Sequence, residues 1–150
     1  LAPFNAWQII QGLETVGLRM KQHCSNAEKV VTFLETQKKV KNVIYPTNHQ
    51  GEIKERAKKY MQGGYGSLVG MDVGTKEAGA KFIDNLKMLY HVANIGDARS
   101  LAIHPATTTH SQLNDEELLA AGVTPGYVRL SIGIEHPDDI VADIKQALAA

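Results

Sequence analysis

One arginine and one hydroxyl-rich segment are the residues of this chain best suited to act together on a ligand. Arg129 lies within the alternating apolar and polar run 127–132, and residues 94–110 are dense in small hydrogen-bonding side chains. A guanidinium is costly to bury without an anionic partner, and its planar fork matches a carboxylate or a phosphate. The two pieces of chain together predict an anion-binding site.

Each of these features also has a purely structural interpretation. Alternation alone allows Arg129 to lie on a sheet face that is open to water. Asn94 fits a turn before Gly96, and the threonine run 107–109 fits a loop with local backbone hydrogen bonds. The site hypothesis therefore depends on the combination.

Other chemically suggestive residues favour structural roles. The glycine-rich stretch 63–66 precedes a predicted strand instead of a helix, so it reads as a turn and not as a phosphate loop. The six histidines show no metal-ligand spacing, and Cys24 falls on an apolar helix stripe, where cysteine is usually inert. The lysines of 38–41 and 54–59 are typical of a solvated face. We expect no metal site.

The bulk composition limits the partners. Sixteen basic and sixteen acidic residues cancel, which argues against nucleic acid or an anionic membrane surface. No apolar run approaches the roughly 20 residues that span a bilayer, and the first residues do not resemble a signal peptide. A single cysteine excludes an intrachain disulfide and fits a reducing compartment. We therefore expect a cytoplasmic protein.

The elements that must position the site begin with a long helix. Apolar residues recur every three or four positions from Ala6 to Leu34, which predicts a helix from about Asn5, as its N-cap, to Gln37, with bends at Gly12 and Gly17. Such a helix is long for a chain of 150 residues and is more natural as a connector between domains. We expect residues 1–37 to be this connector and the chain to be the carboxyl-terminal part of a longer protein.

Residues 38–150 predict a mixed α/β domain of about five strands and four helices. The predicted strands are 40–45, 67–73, 91–95, 101–103 and 127–132, and the predicted helices are 52–61, 76–89, 114–121 and a last one capped near His136. Asn114 and Glu117 have capping-box spacing, with Gly122 as the C-cap. The short link 94–100 favours antiparallel pairing, because parallel strands need long crossovers.

Several runs along the chain carry a resemblance to a known family. These runs are Pro3-Phe4-Asn5-Ala6, Gln11-Gly12-Leu13-Glu14-Thr15, Asn94-Ile95-Gly96-Asp97, His104-Pro105-Ala106 and Val128-Arg129-Leu130-Ser131-Ile132-Gly133-Ile134-Glu135. They resemble the carboxyl-terminal domain of the cystathionine/methionine-metabolism family of pyridoxal 5'-phosphate (PLP) enzymes, and among its branches most resemble the O-acetylhomoserine sulfhydrylases.

The resemblance implies a fold and three substrate-binding residues. The fold is the small α/β (α+β) domain of a fold-type-I, aspartate-aminotransferase-like enzyme, with a long amino-terminal helix, a mainly antiparallel sheet and covering helices. Arg129 matches the arginine that binds the substrate α-carboxylate, Asn94 matches a residue that helps to hold it, and Thr109 matches a hydroxyl that supports the arginine. An asparagine at position 94 favours the sulfhydrylase branch.

The same resemblance implies a reaction that this chain cannot carry out alone. The family replaces the acetate of O-acetylhomoserine by sulfide or a thiol, giving homocysteine or methionine, with PLP on a lysine of a large domain. Nothing here matches that lysine or the other cofactor-binding residues, so we expect residues 38–150 to close over the substrate while the PLP-binding domain lies outside the chain. We expect a homotetramer, with the large domain as a partner.

Other functions stay open at this point. A cystathionine γ-synthase or a γ-lyase of the same family would share these motifs. A non-catalytic amino-acid-binding module built around Arg129 and Asn94, or a fragment prepared for structural work, would also fit the 150 residues.

Overall fold

The structure, a computed structural model, describes all residues 1–150 and contains six α-helices and five strands. The helices are α1 Pro3–Glu14, α2 Val16–Glu35, α3 Gly51–Tyr60, α4 Lys76–Asp84, α5 Asp115–Ala120 and α6 Pro137–Ala149. The strands are β1 Asn42–Ile44, β2 Leu68–Asp72, β3 Tyr90–His91, β4 Leu101–Ile103 and β5 Tyr127–Ser131. Two short 3-10 helices follow β1 and β4. No helix combines the length and the apolarity needed to cross a membrane.

The five strands form one sheet in the order β1-β2-β5-β4-β3, so the last strand to be made lies at its centre. The pairs β1–β2, β2–β5 and β4–β5 are antiparallel, which confirms the predicted mainly antiparallel sheet. Arg129 at the middle of β5 faces Gly70 of β2 and Ile103 of β4. The residue of interest is therefore held by strands on both sides.

The helices cover one face of the sheet. Val128 and Leu130 of β5 are fully buried there with Val69 and Met71 of β2, because alternate residues of a strand point to the same face. From the helix side the core is completed by Val30 and Leu34 of α2 and by Ile140 and Ile144 of α6. The opposite face carries Arg129.

The helix predicted over residues 5–37 is divided into two. Helix α1 begins at Pro3 with Ala2 as its N-cap, not at Asn5, and it ends before Thr15, whose φ and ψ of −110° and 3° interrupt the helix. The break falls between Gly12 and Gly17, and a guanidinium hydrogen bond from Arg19 to the carbonyl of Gly12 spans it. The first half of the predicted connector can thus point in a different direction from the second.

The pairing of β3 with β4 is parallel, contrary to the antiparallel pairing expected from their short link. Strand β3 is only two residues long, where the sequence predicted 91–95. To begin a parallel neighbour, the chain must run back along the length of β3, which is only about 7 Å for two residues. Residues 92–100 are long enough for this without a crossover helix. Residues 92–97 are thereby left as a loop beside the sheet.

The predicted caps of α5 and α6 are confirmed. The side chain of Asn114 accepts from the N–H of Glu117, whose carboxylate accepts in return from the N–H of Asn114. Gly122 follows α5 with a φ of 76°, a conformation that favours glycine. His136 caps α6 ahead of Pro137. These local signals fix both ends of α5 and the start of α6.

Candidate functional site

Arg129 is a half-buried cation with almost no partner. Its Nη2 donates to the main-chain carbonyl of Asn94 at 3.3 Å, which is long for a charged donor. Its Nε is buried and makes no hydrogen bond, and no carboxylate lies within 4.0 Å of the guanidinium. A guanidinium placed in this way retains most of its capacity to bind an anion.

The sheet leaves room around the guanidinium. Gly70, opposite Arg129 on β2, has no side chain, and the ring of Tyr127 lies over it: a Cβ at Gly70 would come within 2.7 Å of Tyr127 Cε2. A cavity of about 200 Å³ opens here. Its lining consists of Ile44, Tyr45, Pro46, His49, Leu68, Val69, Gly70, Tyr127 and Arg129.

The donors in this cavity are suited to an anion. Burial raises the pKa of the Tyr127 phenol, and the positive charge of Arg129 opposes that rise only partly. The phenol is therefore a neutral hydrogen-bond donor at neutral pH. With no acidic side chain in the lining, the cavity offers a cation and a hydroxyl to a ligand.

The loop over residues 92–97 brings Asn94 to Arg129, but through its backbone. The side-chain amide of Asn94 points to Asp97 at 3.5 Å, while its carbonyl accepts from Arg129. Asp97 also accepts from the N–H of Arg99, and Gly96 adopts a φ of 76° that closes the turn. The predicted pair Arg129 and Asn94 is thus adjacent, whereas a role for the Asn94 amide on a carboxylate stays a prediction.

Thr109 makes no hydrogen bond with Arg129 in this structure. Its hydroxyl is exposed and pairs with His110 Nδ1 at 2.9 Å. Within the same segment, Thr107 and Thr108 bond back to His104. The threonine run 107–109 is therefore largely engaged in its own turn, and the supporting role of Thr109 stays a prediction.

Residues that sequence reasoning missed hold the end of β5 in place. Glu135 accepts from the N–H and the hydroxyl of Ser100 at 2.7 and 2.9 Å, and the Ser100 hydroxyl accepts from the N–H of Gly133. These bonds tie the strand that carries Arg129 to the residues just after the 92–97 loop. The one signal for these contacts in the sequence was the glycine at position 133. In the structure, a Cβ at Gly133 would lie 2.3 Å from Glu135 Oε2.

Helix α2 holds the same segment from the other side. His23 Nδ1 lies 2.6 Å from the carbonyl of Ile132, and the amide of Asn26 donates to the carbonyls of Gly133 and Glu135. His23 and Asn26 are fully buried polar residues three positions apart on a helix. Polar residues on an apolar helix stripe were the sequence signal for this connection.

The residues present do not fit a PLP site. An internal Schiff base needs a lysine in a desolvated site, and no lysine lines the cavity at Arg129. Lys38, Lys39, Lys41 and Lys81 surround a different cavity of about 340 Å³, but all four are exposed. No group of three or more histidine, cysteine or acidic residues could hold a metal ion. The described residues thus hold an under-partnered guanidinium beside a cavity, and that cavity has no lysine for a Schiff base.

Comparison with known proteins identifies close relatives. A family profile described as "Cys/Met metabolism PLP-dependent enzyme" matches residues 1–149. The chain is 51% identical over 150 residues to an O-acetyl-L-homoserine sulfhydrylase of Leptospira meyeri, covering 99% of this chain and 34% of that protein. It is 43% identical over 151 residues to an L-methionine gamma-lyase of Fusobacterium nucleatum subsp. polymorphum, covering 99% of this chain and 38% of that protein.

A solved structure confirms the fold. The chain superimposes with a TM-score of 0.91 and 44% identity on a crystal structure from Campylobacter jejuni named as an O-acetylhomoserine (thiol)-lyase, which contains a pyridoxyl-lysine phosphate adduct. The match covers 100% of this chain and 36% of that chain. The chain thus spans about a third of the length of the relatives that it matches.

Proposed function

The chain belongs to the Cys/Met-metabolism PLP-dependent enzymes. On that premise we propose that it is the part of an O-acetylhomoserine sulfhydrylase that binds the carboxylate of the substrate. The reaction of the longer protein is the replacement of acetate on O-acetyl-L-homoserine by sulfide or a thiol, which releases acetate and gives homocysteine or methionine. The family's cofactor is PLP, and it is bound outside these 150 residues.

The observation that carries this proposal is the under-partnered guanidinium of Arg129. It has one long hydrogen bond, no ion pair and a buried Nε without a partner, on the sheet face that is free of helices. A carboxylate would give it a charge-assisted, bidentate partner. Fixing the carboxylate of the amino acid fixes its orientation, and orientation can supply several kcal/mol of the barrier reduction.

Arg129→Lys tests the proposal in the full-length enzyme. Lysine keeps the charge but lacks the planar fork, so we expect kcat/KM for O-acetylhomoserine to fall by at least about tenfold, mainly through a higher KM. Steady-state kinetics at saturating sulfide measure this. Arg99→Lys, on the exposed loop nearby, serves as the matched control and should remain near wild type. A wild-type kcat/KM in Arg129→Lys would contradict the proposal.

A γ-lyase or a cystathionine γ-synthase is the second candidate, favoured by the 43% identity to the L-methionine gamma-lyase. All three reactions begin with an amino acid held by its carboxylate, so Arg129 does not separate them. Incubating the full-length protein and O-acetylhomoserine with sulfide, with cysteine or with no nucleophile does separate them. A sulfhydrylase gives homocysteine from sulfide, a cystathionine γ-synthase gives cystathionine from cysteine, and a γ-lyase gives a 2-oxo acid without a nucleophile. We expect homocysteine.

The division of the chain is proposed on the same premise. Residues 1–37 are the connector and residues 38–150 the domain that closes over the substrate. Helix α1 has no buried residue, and Phe4 and Trp7 expose 64% and 55% of their surface, which supports packing of this helix on the rest of the longer protein. The homotetramer and the cytoplasmic location implied by the resemblance are proposals of the same kind.

A further inference from the structure

Ser131, the last residue of β5, has a buried hydroxyl with no hydrogen-bond partner. The residue is 2% exposed, and its Oγ makes no hydrogen bond within the chain. Its neighbours across the sheet are Leu68 on β2 and Leu101 on β4, so its surroundings on that face are apolar. A buried polar group without a partner costs free energy, and alanine would fit this place at no such cost.

The hydroxyl lies next to the other orphaned donor of the molecule. Arg129 and Ser131 are two residues apart on one strand, so both side chains leave the same face of the sheet, with Cα atoms about 7 Å apart. The buried Nε of Arg129 and the Oγ of Ser131 are the two buried side-chain polar atoms left without a partner in the whole chain. Two unmet donors side by side indicate a ligand with acceptor oxygens.

The one hydrogen bond that holds the guanidinium of Arg129 is weak enough to be displaced. Arg129 is held only by the carbonyl of Asn94 at 3.3 Å, in a loop whose Val92 and Ile95 are about half exposed. A carboxylate forms stronger, charge-assisted hydrogen bonds with a guanidinium than a neutral carbonyl does. Entry of a carboxylate would therefore replace the Asn94 carbonyl as the partner of the guanidinium.

We propose that Ser131 is a substrate-binding residue, whose hydroxyl donates to a carboxylate oxygen of the amino acid that Arg129 holds. The inference rests on the proposed function, since it assumes that Arg129 binds the substrate carboxylate. Ser131 adds a third donor to the fork of the arginine. A carboxylate has two acceptor oxygens for the guanidinium and the hydroxyl together, whereas a neutral carboxamide has only one.

Ser131→Ala in the full-length enzyme tests this inference. We expect KM for O-acetylhomoserine to rise by about tenfold with kcat within about twofold, as for loss of a hydrogen bond to a charged group. The inhibition constant of L-homoserine, which carries the carboxylate without the acetyl leaving group, should rise equally. Resistance to unfolding should stay the same or improve, because an unmet buried hydroxyl is removed.

Ser67→Ala is the matched control. Ser67 is also buried, but it lies next to Leu68 and so belongs to the opposite, helix-covered side of β2 by alternation. Its removal should leave KM and the inhibition constant unchanged. If both serine variants raise KM equally, the effect is a general loss of packing and the inference is wrong.

The same kinetics separate this inference from the proposed function. If Arg129→Lys raises KM and Ser131→Ala does not, Ser131 is not a ligand and the role of Arg129 stands. If neither variant changes KM, the carboxylate site itself is wrong. If Ser131→Ala unfolds more readily and loses kcat and affinity together, the hydroxyl is structural and the inference is overturned.

Discussion

Asp143 is a buried carboxylate that holds the chain just before β3 and the 92–97 loop. It accepts from the backbone N–H groups of Lys87, Met88 and Leu89 at 2.9 to 3.0 Å, and Gln146 donates to it at 3.0 Å. Burial opposes its ionisation, but these donors outweigh burial and lower the pKa of Asp143 below its ordinary value. The chain therefore enters β3 and the 92–97 loop from a fixed point.

Asp143→Asn should lower the free energy of local opening at residues 86–91 by about 1.5–3 kcal/mol, the range for hydrogen bonds to a charged acceptor. Hydrogen exchange of the amides of residues 86–91 in the full-length protein measures the change. Because the pKa of Asp143 is lowered by folding, its stabilisation is present above about pH 4 and is lost as the pH falls further. Asp139 is exposed on the same helix, so in Asp139→Asn the amides of residues 86–91 should exchange as in wild type. Equal exchange rates in the Asp143 and Asp139 variants would contradict the role of Asp143.

Single residues show what the sequence could and could not predict about the site. The strand position of Arg129 could be predicted, because alternation places it on the face opposite Val128 and Leu130. The contact of Asn94 through its main-chain carbonyl could not be predicted, because a side-chain type does not show which group of a loop faces the guanidinium. Thr109 follows only from the family resemblance, and its support of Arg129 stays a prediction; in this chain its hydroxyl pairs with the neighbouring His110.

At the scale of elements, α4 packs on the turn after β4 through one glycine. A Cβ at Gly79 would lie 2.4 Å from Nε2 of His104, a fully buried ring that bonds to the carbonyl of Pro125 at 2.8 Å and to Thr107 at 2.9 Å. Burial lowers the pKa of His104, so the ring is neutral and fits between these partners. This contact fixes the 104–110 segment against the helix layer.

Gly79→Ala should therefore destabilise the protein by about 1–3 kcal/mol, although alanine is the better helix former. The overlap lies against a ring held at both nitrogens, which cannot move without losing a hydrogen bond. Thermal unfolding of the full-length protein measures the effect. Gly17→Ala is the matched control, since a Cβ there meets nothing within 4 Å of this chain. An unchanged or higher unfolding temperature in Gly79→Ala would contradict this packing argument.

The type of an element was predictable where local signals were strong. The predicted boundaries were wrong where contacts with distant parts of the chain decide where an element ends. The capping box at Asn114 gave the start of α5 correctly. The helix predicted over 76–89 ends at Asp84 instead, because Asp143, far along the chain, takes the N–H groups of residues 87–89. Likewise, only the whole sheet shows that β3 pairs in parallel with β4.

At the scale of the whole molecule, the chain is one part of a larger protein. It spans about a third of the length of its relatives, and α1 leaves its apolar side chains uncovered. The long helix was predicted as a connector on its length alone, and the break at Thr15 could not be placed because both flanking glycines were candidates. What the chain contributes is a sheet with one face packed by helices and Arg129 on the other.

The measurement that tests this account most directly compares L-homoserine with L-homoserinamide as inhibitors of the full-length enzyme and of Arg129→Gln. The two ligands differ only in the carboxylate, and glutamine removes the charge of the guanidinium. We expect the wild-type enzyme to bind the acid at least about tenfold more tightly than the amide, as a charge-assisted pair implies. We expect Arg129→Gln to bind both about equally. If the variant still prefers the acid by the wild-type factor, Arg129 does not hold the carboxylate and the central claim is wrong.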